Sequence, residues 1–450
     1  MTAGEVWACA FDADNNTIKF FVGGSQTGNT ISLDSPNGLG WKTYAATGQS
    51  GSVDNSYWNY GQDSSFAGEK TSGSAEATDG EGIGDFYYTP PSGYLALCTA
   101  NLPEPTIGAN SVTQADDYFN TVLYTGASSG QGITGVGFQP DWTWIKSRSH
   151  GSSHVLTDTS RGVTKSLFSD TAVVESTLAG GVTAFGTDGF TLGTEGTVNT
   201  DTRTYVAWSW KANGGTATAS GSESGNNPAY SVQANPTAGF SIVTYTGTGA
   251  TGTVPHGLGV VPQMMIFKNR GSAGNWAIYH GENTAAPATD VIYLNLTNAT
   301  ADTVNMFNDT APTSSVFTVD TNGNLNEDGV AHVAYIFANV EGYSKFGSYT
   351  GNGNVDGAFV YTGFRPAFII TKLSSHVSSW SIVDTTRDPF NIVNQYLLAE
   401  SNSAEGDFDS FDILSNGFKA RTTNAERNGS GRTVIYMAFA EAPFKYANAR

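Results

Sequence analysis

Three short stretches of this chain are apolar on both alternate faces until each ends on a lysine: residues 142–146, 264–268 and 368–372. A strand with both faces apolar belongs at the buried centre of a sandwich. Three further apolar runs, at 205–210, 332–337 and 434–439, predict a second set of buried strands. Near the N-terminus, residues 6–11 and 18–22 read as a hairpin turning through 12–16. Between the runs lie clusters of Gly, Asn, Asp, Ser and Pro, and no stretch has the period of a long amphipathic helix. The fold class expected is all-β, as tandem antiparallel β-sandwich modules of jelly-roll-like kind.

The runs recur in register, and internal repetition is the decisive signal. The tripeptide Tyr-Thr-Gly begins at Tyr124, Tyr245 and Tyr349. Each copy is followed by a glycine-rich turn and a Gly-x-x-Pro element ending at Pro140, Pro262 or Pro366. Six residues beyond each proline stands Lys146, Lys268 or Lys372, and eight beyond the lysine comes His154, Trp276 or Trp380. Four further on are Asp158, His280 and Asp384, with Asp-Thr-x-Arg completed by Arg161 and Arg387 in two copies only. Asp188-Gly189 and Asn416-Gly417 carry the signal of a tight hairpin turn. These spacings divide the chain into an N-terminal β segment (1–110), repeat 1 (111–212), a linker (213–235), repeat 2 (236–340) and repeat 3 (341–450). Residues 213–227 are rich in Gly, Ser, Thr and Ala and predict a flexible linker. Each repeat is expected to hold its own core, and repeats 2 and 3, which abut at 339–342, to form a rigid pair.

Composition agrees. Of 450 residues, 39% are hydrophobic, so cores can form, and the 54 glycines fit many tight turns. The formal net charge is −19, with the basic residues scattered singly, so no nucleic-acid partner is expected. No apolar run approaches the roughly 20 residues that cross a bilayer, so no membrane insertion is expected. The first five residues lack the basic start and apolar stretch of a secretory signal. Cys9 and Cys98 are too few for a disulfide framework and are expected as buried thiols in strands.

Residues 5–22, the Gly23-Gly24 turn and the run from Gly84 through Pro91 to Tyr94 resemble the later half of a SPRY-type concanavalin-like sandwich. The earlier strands of that family are absent, so this is either a fragment of a longer chain, the favoured reading, or a sheet completed by another subunit. From Leu97 to Ile107 the sequence resembles the junction that precedes Tyr-Thr-Gly repeats in tail-fibre-like proteins of phages of marine bacteria. The repeats and the run 438–450 resemble that group as well, so the resemblance covers nearly the whole chain. It implies a virion protein made in the host cytoplasm and released by lysis. It also implies a homo-oligomer, a trimer, that meets other virion proteins and a host-surface glycan or protein. It supplies no catalytic residue.

Gly247, Gly249 and Gly252 spell a dinucleotide fingerprint, but Thr253-Val254-Pro255 cannot open the helix that motif needs, so a turn is expected. Gly126, Ser128 and Gly130 match a nucleophile elbow without its helix. His150 and His154 have metal-ligand spacing on a helix, but a Gly-Ser-Ser insert argues for a loop, and the His154 slot holds Trp276 and Trp380 elsewhere. Asp12-Ala13-Asp14-Asn15-Asn16 lacks the glycine and glutamate of a calcium loop and is expected as a solvated turn. The oxygen-rich run 320–328 is a weaker calcium candidate. Asp158 and Asp384, each three residues before an arginine, are expected as structural ion pairs or turns. Trp142, Trp144, Trp208 and Trp210 fall on predicted strands and are expected in the core. Trp58 and Tyr60, in a polar stretch, are the candidate sugar-stacking residues. No cofactor, metal or catalytic residue is assigned. The function expected is a structural, non-enzymatic phage tail-fibre or spike-like appendage in host attachment. The alternatives are a head decoration or adaptor protein and, behind it, a surface-polysaccharide depolymerase.

Overall fold

The structure, a computed structural model, describes residues 6–12, 15–33, 57, 59–71, 77–98, 101, 105–108 and 112–442, in two compact units, Met1–Glu104 and Pro105–Arg450. The first unit contains a three-stranded antiparallel sheet of Trp7–Asp12, Thr17–Val22 and Ser25–Ser32. The predicted hairpin is there, with Asp12 opposite Thr17, and the Asp12 carboxylate accepts from the Asn15 backbone and side chain to close the turn. Both cysteines depart from expectation and are exposed. Trp7–Asp12 buries Ala10 alone, because nothing described covers the face that carries Cys9. Cys98 lies outside the described strands.

The second unit is all-β and repeats one sheet three times. Each repeat has a motif strand carrying Tyr-Thr (Phe119–Thr125, Phe240–Thr246, Ser344–Thr350). Each has a lysine strand (Trp142–Ser147, Met264–Asn269, Pro366–Leu373) and an outer strand (Val155–Asp158, Ala277–His280, Ser381–Asp384). A closing strand follows (Thr204–Trp210, Ala331–Phe337, Thr433–Ala440). In all three the hydrogen-bonded order is motif, closing, lysine, outer, antiparallel throughout. Lys146, Lys268 and Lys372 pair with Val206, Val333 and Ile435, so they occupy equivalent places. In repeats 1 and 2 a smaller sheet packs against the main one. It is Gln131–Thr134, Val182–Gly186 and Gly189–Leu192 in repeat 1, and Gly252–Pro255 with Val316–Val319 in repeat 2. In repeat 3, Phe359–Tyr361, Gly406–Leu414 and Gly417–Ala420 continue the main sheet round to eight strands.

The Tyr-Thr-Gly signature has a mechanical reason. One helical turn precedes each closing strand: Gly196–Asn199, Gly323–Asn326 and Ala425–Asn428. The hydroxyls of Tyr124, Tyr245 and Tyr349 donate to its third carbonyl, on Val198, Leu325 and Arg427, at 2.8, 2.6 and 2.6 Å. The glycine lets the motif loop lie against the same turn. A Cβ on Gly126, Gly247 or Gly351 would stand 2.1, 2.2 or 2.4 Å from the carbonyl oxygen of Thr200, Glu327 or Gly429. A buried asparagine at the fourth position (Asn199, Asn326, Asn428) completes the lock. It accepts from the backbone of Ala127, Thr248 and Asn352 and donates to nearby carbonyls. Gly247→Ala is therefore expected to cost about 1–3 kcal/mol or more, read as a lowered Tm. Gly132→Ala, whose added methyl meets nothing within 4 Å, should change it little.

The hairpin signals hold with a different role for their glycines. Gly186 pairs with Gly189 and Leu414 with Gly417, so each glycine sits just past its turn. What demands glycine there is a neighbouring strand: an added Cβ would lie 2.0 Å from the carbonyl of Ile133 or Val360.

Two expectations about the repeats are corrected. Residues 213–235 are not a free linker: they include strands Ala219–Gly221 and Ala229–Asn235, the latter paired with the repeat 2 motif strand. The buried Asp141 carboxylate gathers the amides of Ala212, Gly214 and Gly215, so the small residues serve a tight fastened turn. Nor is each core separate. Repeats 1 and 2 keep inner cores, but one large cluster joins all three, including Phe119, Trp142, Trp210, Phe240, Phe337, Phe368 and Phe439. Trp142 stacks on Trp210 and Tyr335 at 4.4 and 4.3 Å, and Phe119 on Phe439 at 4.9 Å. Trp142, Trp144, Trp208 and Trp210 are all buried, as expected.

Candidate functional site: the junctions between repeats

The contacts around this shared core close into a ring. Lys146 of repeat 1 reaches the Asn402 carbonyl of repeat 3, Lys268 of repeat 2 the Ala172 carbonyl of repeat 1, and Lys372 of repeat 3 the Thr297 carbonyl of repeat 2. Each ammonium also donates to the carbonyl of its own next residue, at 2.8–3.0 Å. All three lysines are fully buried, and burial pushes each down to about 8. A positive group at that depth persists only when its protons meet oxygens. Here those oxygens come from two repeats at once.

The rings eight residues on follow the same circuit. Trp276 Nε1 donates to the Phe168 carbonyl at 2.8 Å and Trp380 Nε1 to the Tyr293 carbonyl at 2.9 Å. His154 performs that act in repeat 1. Its Nδ1 accepts from Trp144 Nε1 at 2.7 Å, so the proton lies on Nε2, which donates to Leu398 at 2.9 Å. The slot thus selects a ring N–H, beyond the flat packing surface that sequence suggested. Burial pushes the His154 imidazole down to about 3.

The buried aspartates hold two of the junctions. Asp158 receives Arg161 Nε and, at 2.7 Å, the hydroxyl of Tyr335 from repeat 2. Asp384 receives Arg387 Nε and, at 3.0 Å, the indole N–H of Trp208 from repeat 1. Each arginine continues to a glutamate, Glu175 or Glu405, which an arginine of the adjoining repeat also grips: Arg270 at 2.9 Å and Arg148 at 2.8 Å. The expected structural ion pairs are present, and each is part of a network crossing a junction.

The third junction, between repeats 3 and 2, is built differently. Met437 stands where Trp208 and Tyr335 offer a donor, and His280 replaces the aspartate, giving its Nε2 proton to the Tyr436 carbonyl at 3.1 Å. Asn283, Thr300 and Ser374 occupy the positions of the arginine, glutamate and arginine of the other two. The backbone match is direct: Thr300 N–H donates to Ser374 O at 2.8 Å, as Glu175 does to Arg270 and Glu405 to Arg148. With three long side chains gone, a cavity of about 650 Å³ opens, lined by Glu282, Asn283, Asp290, Thr300, Asp302 and Ser374 among others.

A family described as a domain of unknown function, DUF7483, matches residues 114–443, which is most of the chain. The chain belongs to that family. No curated protein and no solved structure matches it significantly. The DUF7483 region coincides closely with the three interlocked repeats.

Within the DUF7483 region the motif look-alikes resolve into loops and caps. Gly247 to Gly252 leads into strand Gly252–Pro255 and not a helix. Ser128 has φ 53° and its hydroxyl accepts from Asp201, in a loop between strands. His150 bonds to Ser149 while both His154 nitrogens are engaged within the fold, so the pair shares no ligand. The oxygens of 320–328 serve structure: Asp320 accepts from Thr251, Asn322 caps a helical turn, and Asn324 holds Asn275. Among the described residues no group of His, Cys, Asp and Glu is arranged to hold a metal. No helix among them is long and apolar enough to cross a membrane. In the first unit Tyr60 is 40% exposed, at a turn where Gln62 accepts from its amide; Trp58 lies outside the described residues. Sequence reasoning missed Asn283, Thr300 and Ser374. Their signal was a gap, in the repeat that lacks Asp-Thr-x-Arg.

Proposed function

We propose that this chain is a structural, non-enzymatic virion protein, a tail-fibre or spike-like appendage that presents β-sandwich loops to a glycan or protein on the host surface. The observation that carries the reading is the use of the recurrent charged groups. The recurrent lysines reach backbone carbonyls of a neighbouring repeat, the aspartates accept from Tyr335 or Trp208 of another repeat, and their arginines share a glutamate with an arginine across the junction. Buried networks of this kind serve rigidity and register, which suits a mechanical appendage. The resemblance of the Leu97–Ile107 run and the repeats to phage tail-fibre-like proteins supports the same reading. Homo-oligomerisation and contacts with other virion proteins belong to it, and it invokes no cofactor, nucleic acid or membrane insertion. Linked copies on a particle would make weak individual contacts sufficient.

Immunogold labelling of purified particles that carry this chain, paired with adsorption of the free chain to host cells, tests it. The expected result is label on the tail or its appendages and saturable adsorption that competes with infection. Label spread over the head would favour decoration instead. Absence from particles, or release of reducing sugar ends by the free chain, would overturn the proposal.

A further inference from the structure

We propose that the cavity at the junction of repeats 3 and 2 is a binding site for an uncharged, hydroxyl-rich saccharide. The inference rests on the attachment reading and gives it a location. Its basis is internal comparison. The chain builds the same junction three times and twice fills it with an arginine–glutamate–arginine network. In the third, Asn283, Thr300 and Ser374 leave that space open. Collapse of the fold around it has not satisfied what remains. Asn283 is 2% exposed, its Oδ1 accepts from Thr300 at 2.6 Å, and its Nδ2 has no partner among the described residues. Ser374, 3% exposed, lines the same space. A buried amide donor without an acceptor is rare in native proteins and costs about 1–3 kcal/mol. At the edge of this cavity, a small shift of the Asn283 side chain would bring that donor within reach of a ligand oxygen.

The lining selects the ligand class. Glu282, Asp290 and Asp302 are acceptors, Asn283 has an unpaired N–H just beneath the surface, the Thr300 hydroxyl, which donates to Asn283 Oδ1, can accept, and the Ser374 hydroxyl acts in either sense. Sugar hydroxyls, each both donor and acceptor, match that mixture. No lysine or arginine lines the cavity, so three carboxylates repel an acidic sugar. At about 650 Å³ the cavity falls within the range of small-molecule sites. Ala285 is the sole apolar side chain of the lining, so the site lacks a stacking ring and single-site affinity should be modest.

The test is saturation-transfer NMR of the full chain with neutral hexoses and N-acetylhexosamines, with uronic acids as controls. A second form carries Asn283→Arg, Thr300→Glu and Ser374→Arg, which imports the network of the other junctions. We expect transfer to at least one neutral sugar, none to uronic acids, and a loss of at least tenfold in affinity in the triple variant. Asp302→Asn alone should weaken binding if the triple variant folds poorly. Unchanged sugar binding in folded triple and Asp302→Asn variants would place the sugar elsewhere and overturn the site. Host-cell adsorption without transfer from any neutral sugar would also overturn the site while leaving attachment standing; failure of adsorption itself would remove the attachment reading.

Discussion

Replacing Asp384 by alanine should lower the stability of the three-repeat unit by about 3–5 kcal/mol, the cost of leaving a buried charge without its partner. Asp384 and Arg387 are both fully buried in their side chains. Removing the carboxylate takes the acceptor from Arg387 Nε, from the Arg387 backbone amide and from the Trp208 indole N–H, which belongs to another repeat. Glu405 stays on the guanidinium at 2.9 Å but cannot reach the other donors. Asp158→Ala should do comparable damage through Arg161 and Tyr335. By contrast Asp188→Ala should cost far less. That carboxylate is exposed and accepts only from the amides of Gly135 and Gly137, which water can serve. Chemical denaturation followed by tryptophan fluorescence separates these outcomes. Equal small losses for all three would mean that the buried aspartates do not hold the junctions.

Acid should loosen the same unit well before carboxylates titrate. Burial is the main reason that the His154 and His280 imidazoles are pushed down, to about 3 and about 4, and it lowers His256 too. In each the Nδ1 lone pair accepts an N–H and Nε2 donates to a carbonyl, so a second proton would break a bond. The unfolded chain takes up that proton near pH 6.5 and the folded chain does not. Unfolding therefore binds protons, and stability falls as pH drops from about 6.5 towards the folded values. For His154 and His280 together, the loss between pH 7 and pH 5 is on the order of 3 kcal/mol. Calorimetry across that range should show Tm falling steadily, and His154→Trp, the ring that repeats 2 and 3 use, should flatten the slope. A flat Tm from pH 7 to pH 5 would contradict the neutral, locked imidazoles. The lysines act on the alkaline side in the same sense. Held at about 8, they release protons on folding between there and their ordinary value, so their burial costs less as pH rises through that interval.

Much of the main sheet was legible because its pattern is local. An apolar run with a lysine at a fixed distance from a proline marks a central strand wherever it occurs, and three copies raised the signal above accident. The Asp-Thr-x-Arg pairs were legible as ion pairs for the same reason. Contacts between repeats were not, because they join residues far apart in the sequence, such as Trp208 with Asp384 at a separation of 176. Nothing in either local sequence says that Tyr335 should lean on Asp158. Residues 213–227 misled because small residues suit both a loose tether and a tight turn; Asp141, far back in the sequence, decides between them. The cavity was least visible, since its mark is the failure of a pattern: Asn283 where two copies place arginine. Read as mere divergence, that gap says little. Placed in the junction, it becomes a space with an unpaired donor.

That three repeats act as one interlocked body is tested most directly by scanning calorimetry of the full chain with and without Asp384→Ala. A single large transition should cover all three repeats, and the substitution should carry the whole of it to lower temperature, because the ring fails together. Separate transitions, with Asp384→Ala moving one and leaving the others in place, would contradict the account.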